Sequence, residues 1–287
     1  MSNPPIVAAI VSGAVTLIMF FLKGIIGSIW DKHFHKYKLK IEHEYEQRKK
    51  IKEAISKYKV PLLDSAEALN HRLWNFSKNC DKGWHVLSRG KNVNDMYYLQ
   101  SFCYRLLSFL AWCKKFEGEL IFLDSTLSDK DDLYFVKYVR TMQNIFSDAS
   151  IFNGTNYNPA YAVDHFFKDE LAGMVDFMIN DNEVISFSEF KACNADDYEV
   201  ISNYLSSILV SRNCNKWFLL NNFHFVLMAF LSRYGYDFQK TERSKLIQLK
   251  ESQPQNILSR NLKAMIEQGR LNQCKEMNKV IEVLLSR

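Results

Sequence analysis

Pro4-Pro5-Ile6-Val7-Ala8-Ala9-Ile10-Val11-Ser12-Gly13-Ala14-Val15-Thr16-Leu17-Ile18-Met19-Phe20-Phe21-Leu22 runs without a charge, and beyond Lys23 the apolar character resumes as Gly24-Ile25-Ile26-Gly27-Ser28-Ile29-Trp30. About 20 apolar residues at about 1.5 Å rise each cross a hydrocarbon core of about 30 Å. A cleaved signal peptide would need a positive n-region, a shorter apolar core and a small-x-small cleavage site. Here no Lys or Arg precedes position 23, and bulky basic residues follow. A soluble core helix would need a polar face, and Ile6 to Leu22 has none. The reading is a single transmembrane anchor. Lys23, Trp30, Lys32 and Lys36 lie at its interface, the lysines snorkelling to headgroups and the indole at the boundary.

Working outward, charge sets the orientation. Residues 1–22 hold no ionisable side chain, residues 23–59 hold eleven Lys/Arg against five Asp/Glu, and the remaining chain is net negative by one. The whole net charge of +5 is therefore juxtamembrane. The positive-inside rule then puts the N-terminus outside and residues 31–287 in the cytoplasm, at the inner membrane. Anionic lipid suffices as partner for such a patch, so nucleic acid is not called for. In the cytoplasm the six cysteines stay reduced, and the sequons at Asn75 and Asn153 go unused. No C-x-x-C pair is present, which excludes a zinc ribbon or a thioredoxin-like motif. Ala9-x-x-x-Gly13 places small residues one turn apart, a possible dimer face for the anchor and hence a route to a homo-oligomer.

The rest reads as all-α. Four segments are expected: an anchor (1–30), a basic helical stalk (31–60), a cytoplasmic helical bundle (61–252) and a C-terminal polar helix (253–287). The stalk carries a thin stripe, Phe34, Tyr37, Ile41, Tyr45, Ile51, Ile55 and Tyr58, and Pro61 is expected to kink it or start a new helix. Leu62, Ala66, Leu69, Leu73 and Phe76 share a helical face. His71 and Arg72 are placed to meet Asp64 or Glu67 one turn earlier. Further helices are expected over 95–123, 130–147, 160–179, 196–211, 215–235 and 256–286. The turn-rich stretch 153–159 is the best loop, and Val184–Phe187 the one strand-like run. Asn221, Asn222 and His224 make 215–235 a soluble core helix rather than a second span.

Chemistry is thinly signposted. Asp181, Glu189 and Lys191 fit a loose D…E-x-K pattern in which two carboxylates hold Mg²⁺ and a lysine steadies water. They are the weak catalytic candidates for a membrane-tethered metal-dependent hydrolase or nuclease. Glu189 also ends a stretch like the second half of a calcium loop, but Met178 stands where the first carboxylate belongs and Glu183 where glycine is needed. The Asp124, Asp129, Asp131, Asp132 run reads as a solvated turn. No phosphate loop, nucleophile elbow or H-E-x-x-H motif occurs, so no cofactor is expected.

Two stretches, Tyr58-Lys-Val-Pro61-Leu62-Leu63…Ala66-Glu-Ala-Leu69-Asn-His-Arg72-Leu73 and Tyr104…Leu110-Ala111-Trp112…Phe122-Leu123, resemble a group of bacterial single-pass membrane-anchored helical proteins. The resemblance implies an anchored helical architecture and supplies no catalytic residue. With that architecture, the expected function is a cytoplasmic-facing interaction, sensor or effector protein with a protein partner, in a defence or stress setting. The alternatives are the tethered hydrolase and an oligomeric effector that perturbs the membrane.

Overall fold

The computed structural model describes residues 4–88, 90–121, 123–124, 127–209, 214–253 and 256–286, with the backbone alone at 25–29 and 31. The protein is all-α apart from one minimal hairpin. Helix α1 covers Pro4–Asn79, α2 Tyr97–Leu120, α3 Lys130–Ser147, α4 Lys168–Gly173, α5 Phe187–Ala192 and α6 Glu199–Ser206. They are followed by α7 Asn215–Tyr234, α8 Arg243–Glu251, α9 Ser259–Gln268 and α10 Lys275–Leu285. The chain divides into two units, Met1–Lys50 and Ile51–Arg287.

In the first unit the described side chains are exposed except Glu44 and Gln47, which are half-buried. Pro4–Gly24 is long and apolar enough to cross a membrane, and none of it is buried in the protein. Phe34, Tyr37, Ile41 and Tyr45 of the thin stripe are likewise exposed.

The second unit holds the core. Ile51, Ala54, Ile55, Tyr58, Leu62, Leu63, Ala66, Leu69, Leu73 and Phe76 are buried at helical spacing. That stripe explains why α1 passes through Pro61 instead of starting anew there. A helix-interior proline costs about 3 kcal/mol, and two turns of core packing on either side offset it. Aromatic contacts tie the helices together. Tyr58 meets Phe116 (6.1 Å between centroids), Phe116 meets Phe135 (5.3 Å) and Phe135 meets Phe230 (5.4 Å). Phe223 of α7 lies 5.7 Å from Phe109 and 5.0 Å from Phe146.

Helix α7 is buried on every side from Trp217 to Leu231. Several of its polar groups are met by the end of α8 and the chain after it, while Asn221 Oδ1 and Asn222 Nδ2 stay buried without a partner. Gln253 Nε2 donates to Trp217 O (3.1 Å), Asn256 Nδ2 to Asn222 Oδ1 (3.1 Å), and Asn221 Nδ2 to Leu249 O (3.4 Å). His224 Nε2 lies 2.8 Å from Asn70 Oδ1. Because that oxygen only accepts, the imidazole is the donor there, and burial pushes its pKa down to about 3.

Four expectations need correction. Helix 160–179 is replaced by a 3-10 turn at Pro159–Tyr161, a left-handed Ala162 (φ 45°), the short α4 and a second 3-10 turn at Asp176–Met178. The backbone there is claimed elsewhere: Phe166 N–H donates to Phe146 O (2.8 Å) and Asp164 N–H to the Tyr157 hydroxyl (3.0 Å). Helix 196–211 shortens to α6 behind a 3-10 turn at Ala195–Tyr198, capped by Asn194. The final helix splits into α9 and α10 at Arg270, left-handed with φ 55°. Both pieces bury apolar faces, Leu262 and Ile266 on one, Met277, Val280, Ile281 and Val283 on the other. The strand-like run contributes only Val184, in a hairpin of Ile179–Asn180 with Glu183–Val184.

The neutral, buried His224 makes the fold acid-sensitive. An unfolded histidine titrates near 6.5, so its contribution is complete above that pH and is lost as pH falls toward 3. The loss is on the order of a few kcal/mol. In urea unfolding of the full chain, H224Q, which retains an amide donor toward Asn70, is expected to flatten the decline in stability between neutral pH and pH 4.

Candidate functional site

Asp181 and Asn182 form the hairpin turn, both with positive φ (45° and 64°) between the paired Asn180 and Glu183. A two-residue hairpin with both φ positive favours Asn and Asp, so local geometry accounts for the carboxylate at 181. Lys115 Nζ donates to Asn182 O and fastens the turn to α2. Glu189 is the N3 residue of a capping box opening α5. Its Oε2 accepts the Ser186 N–H at 2.7 Å, while Ser186 Oγ accepts the Glu189 N–H at 3.3 Å. Those bonds hold the Glu189 carboxyl below its usual range. Lys191 is exposed, its ammonium 5.5 Å from the Phe187 ring. No bond joins Asp181, Glu189 and Lys191, and among the described residues no group of three or more His, Cys, Asp or Glu is placed to hold a metal ion. Met178, the would-be first calcium ligand, is buried in the core.

At the N-terminal unit, Lys23, Trp30, Lys32 and Lys36 are all exposed. Ala9 is exposed as well, and a Cβ added at Gly13 would meet nothing within 4 Å.

One expectation about polar contacts changes. His71 does approach Glu67 (3.7 Å), but Arg72 reaches across to Ser101 Oγ on α2. The acidic turn is exposed as expected at Asp124, Asp129 and Asp131, and it is also engaged. Asp129 caps α3 by accepting the Asp132 N–H at 3.0 Å and pairs with Lys52 at 3.1 Å. Asp131 pairs with Arg233, whose other arm meets Glu276 at 3.0 Å. Arg233 lies over the Tyr134 ring (5.1 Å), and the Tyr138 hydroxyl sits 3.1 Å from Cys274 Sγ beside it. This Arg233 network closes its own charges.

Two cavities were invisible to spacing. One of about 720 Å³ lies against the 153–164 loop, lined by Tyr157, Tyr161, Val163, Asp164, Asn215 and Ile257. Burial pushes the pKa of Tyr157 up and that of His165 down. The Tyr157 hydroxyl and His165 Nδ1 share a hydrogen bond of 2.7 Å. Asn215 Nδ2 donates to Asp164 Oδ2 (2.9 Å), and the loop is fastened by Asn261 Nδ2 to Ile151 O and Asn153 O (2.8 Å each). The second cavity, about 400 Å³, lies between α2, α3 and α4 with Lys114, Arg140 and Lys168 around Gln143, whose buried Nε2 finds no acceptor.

The most unusual electrostatics lie where α1 meets α2. Arg72 is 7% exposed, the only Lys, Arg, Asp or Glu that is fully buried among the described residues. Its guanidinium stacks 4.3 Å from the Tyr98 ring centroid, and its Nε has no acceptor. Arg105, nearby on α2, is half-buried, and burial followed by the charge of Arg72 lowers its pKa. Neither arginine has a carboxylate partner among the described residues. Sequence reading missed this pair because its partners lie on different helices, although a polar residue among Leu69, Leu73 and Phe76 was a signal.

No protein-family model, curated protein or solved structure matches this chain.

The capping role of Glu189 is testable against metal binding. Ser186→Ala is expected to cost about 1 kcal/mol in unfolding experiments. Glu189→Ala is expected to lower stability in the same direction, an effect that fades as pH falls below the ordinary glutamate range. Mg²⁺ should alter neither result; stabilisation of the parent chain by Mg²⁺ that E189A abolishes would assign Glu189 to a metal instead.

Proposed function

We propose that the chain is a single-pass membrane protein whose unit Ile51–Arg287 works on the cytoplasmic side of the inner membrane as a binding module, in an interaction, sensor or effector role. The observation that carries the reading is Pro4–Gly24, a segment of spanning length with no burial in the protein. An apolar helix with no protein partner gains most by dissolving in lipid. The exposed lysines that follow it favour the anionic inner leaflet and fix the orientation.

Binding is favoured over catalysis by how the obvious acid–base residues are used. Glu189 spends its carboxylate on capping a helix, and Asp181 stands on a separate turn with no bond to it. A protein that holds a soluble helical unit at the membrane can bring a partner there or relay what it binds.

Full-length protein is expected in the membrane fraction, released by detergent but not by high salt. A C-terminal reporter is expected to be active only in the cytoplasm, and substituting Lys32, Lys36, Lys38 and Lys40 by glutamine should allow part of the population to invert. A freely soluble full-length chain, or an external C-terminus, contradicts the reading. So does turnover of a phosphodiester substrate that E189A abolishes.

A further inference from the structure

An unpaired buried charge is expensive, because no opposite charge replaces the water it has lost. Arg72 sits in that condition in the folded protein. Its Nη2 donates to Ser101 Oγ, its face lies on Tyr98, and its Nε is buried without an acceptor. Arg105 adds a second guanidinium without a carboxylate, this one reachable from solvent. A third cation follows on the same surface. Lys82 Nζ lies 4.8 Å from the Trp84 ring, and Trp84 lies 5.6 Å from Tyr98. The Tyr98 hydroxyl lies within the field of both arginines and donates to Asn75 Oδ1 at 2.9 Å.

Among the described residues no ion pair joins a carboxylate to Arg72 or Arg105. The first turn of α2 carries no acidic residue, and Met96 supplies no side-chain cap. Its free N–H groups therefore add to the positive potential. Asp81 and Asp95, the nearest carboxylates in sequence, are exposed, and no ion pair joins either to Arg72 or Arg105. Arg233, by contrast, is closed by Asp131 and Glu276.

We propose that Arg72, Arg105 and Lys82, with Tyr98 and Trp84, form a binding site for a small phosphate-bearing ligand. Guanidinium groups match phosphate oxygens geometrically and hold charge at any physiological pH. Two guanidiniums and an ammonium suit a phosphate dianion better than a single carboxylate, which one of them would satisfy. Trp84, 46% exposed, offers a face for the organic part of an ester. A soluble phosphate ester and a lipid phosphate headgroup share this chemistry. The inference concerns Ile51–Arg287 alone and stands apart from the membrane reading.

The test uses the full chain in a phosphate-free maltoside detergent, titrated with inorganic phosphate against chloride at constant ionic strength. A saturable rise in the unfolding midpoint is expected, with a change in tryptophan fluorescence that Trp84→Phe removes. Arg105→Gln, at a half-exposed position, should fold normally and bind phosphate at least about tenfold more weakly. Arg72→Met should abolish the response, and in phosphate-free buffer it should match or exceed the parent in stability because an uncompensated charge is gone. Nanodiscs containing phosphatidic acid separate the two sources. Competition that lowers the apparent phosphate affinity of the parent chain assigns the headgroup, and unchanged affinity assigns the soluble ester. No saturable response, or an equal response in the parent and R105Q, overturns the proposal.

Discussion

The burial of α7 on every face is the constraint on which the Ile51–Arg287 unit depends. A helix without a solvent side must be enclosed by its neighbours: α3 and α10 pack along it, and α1 and α2 bring Phe76 and Phe109 to Trp217 and Phe223. It must also find partners for Asn221, Asn222 and His224 away from water, since an unmet buried polar group costs about 1–3 kcal/mol. The stretch around Leu249–Asn256 and Asn70 of α1 supply several of them. Those contacts explain how a 20-residue helix of such apolarity is accommodated in the protein core. Pro4–Gly24 stands opposite, apolar and with nothing in the protein to cover it.

How far the sequence could be read follows from the range of the interactions involved. Regular apolar spacing located Leu62, Ala66, Leu69, Leu73 and Phe76, all of them buried. The acidic start after Ser128 located the beginning of α3, where Asp129 is the cap. Both signals lie within a few turns of one helix. Residues 160–179 failed because their backbone donors are taken by Phe146 and Tyr157, a choice made by tertiary contact rather than by local propensity. Pro61 misled for the converse reason, since core packing on both sides outweighs the missing hydrogen bond. Arg270 gave no warning that it would turn left-handed.

The candidate site divides in the same way. Asp181, Glu189 and Lys191 matched a chemical pattern by spacing, yet two of them answer to local backbone demands, a turn and a cap. Arg72 was placed beside acids on its own helix, whereas the fold turns it toward Ser101 and Tyr98. Spacing along a chain cannot reveal which charge will lack an opposite, because that depends on what the other helices bring. The contrast with Arg233, which the fold encloses between two carboxylates, makes the Arg72–Arg105 pair legible only in three dimensions.

Hydrogen exchange of the full chain in detergent addresses the enclosure of α7 most directly. The account expects the amides of Leu219–Leu231 to exchange among the slowest in the protein, together with the core of α2 and α3 and only through global unfolding. H224Q should leave that cooperative behaviour in place. Exchange of α7 as fast as that of residues 38–50, or opening of α7 independently of α2 and α3, would contradict the claim that one helix enclosed on all sides organises the fold.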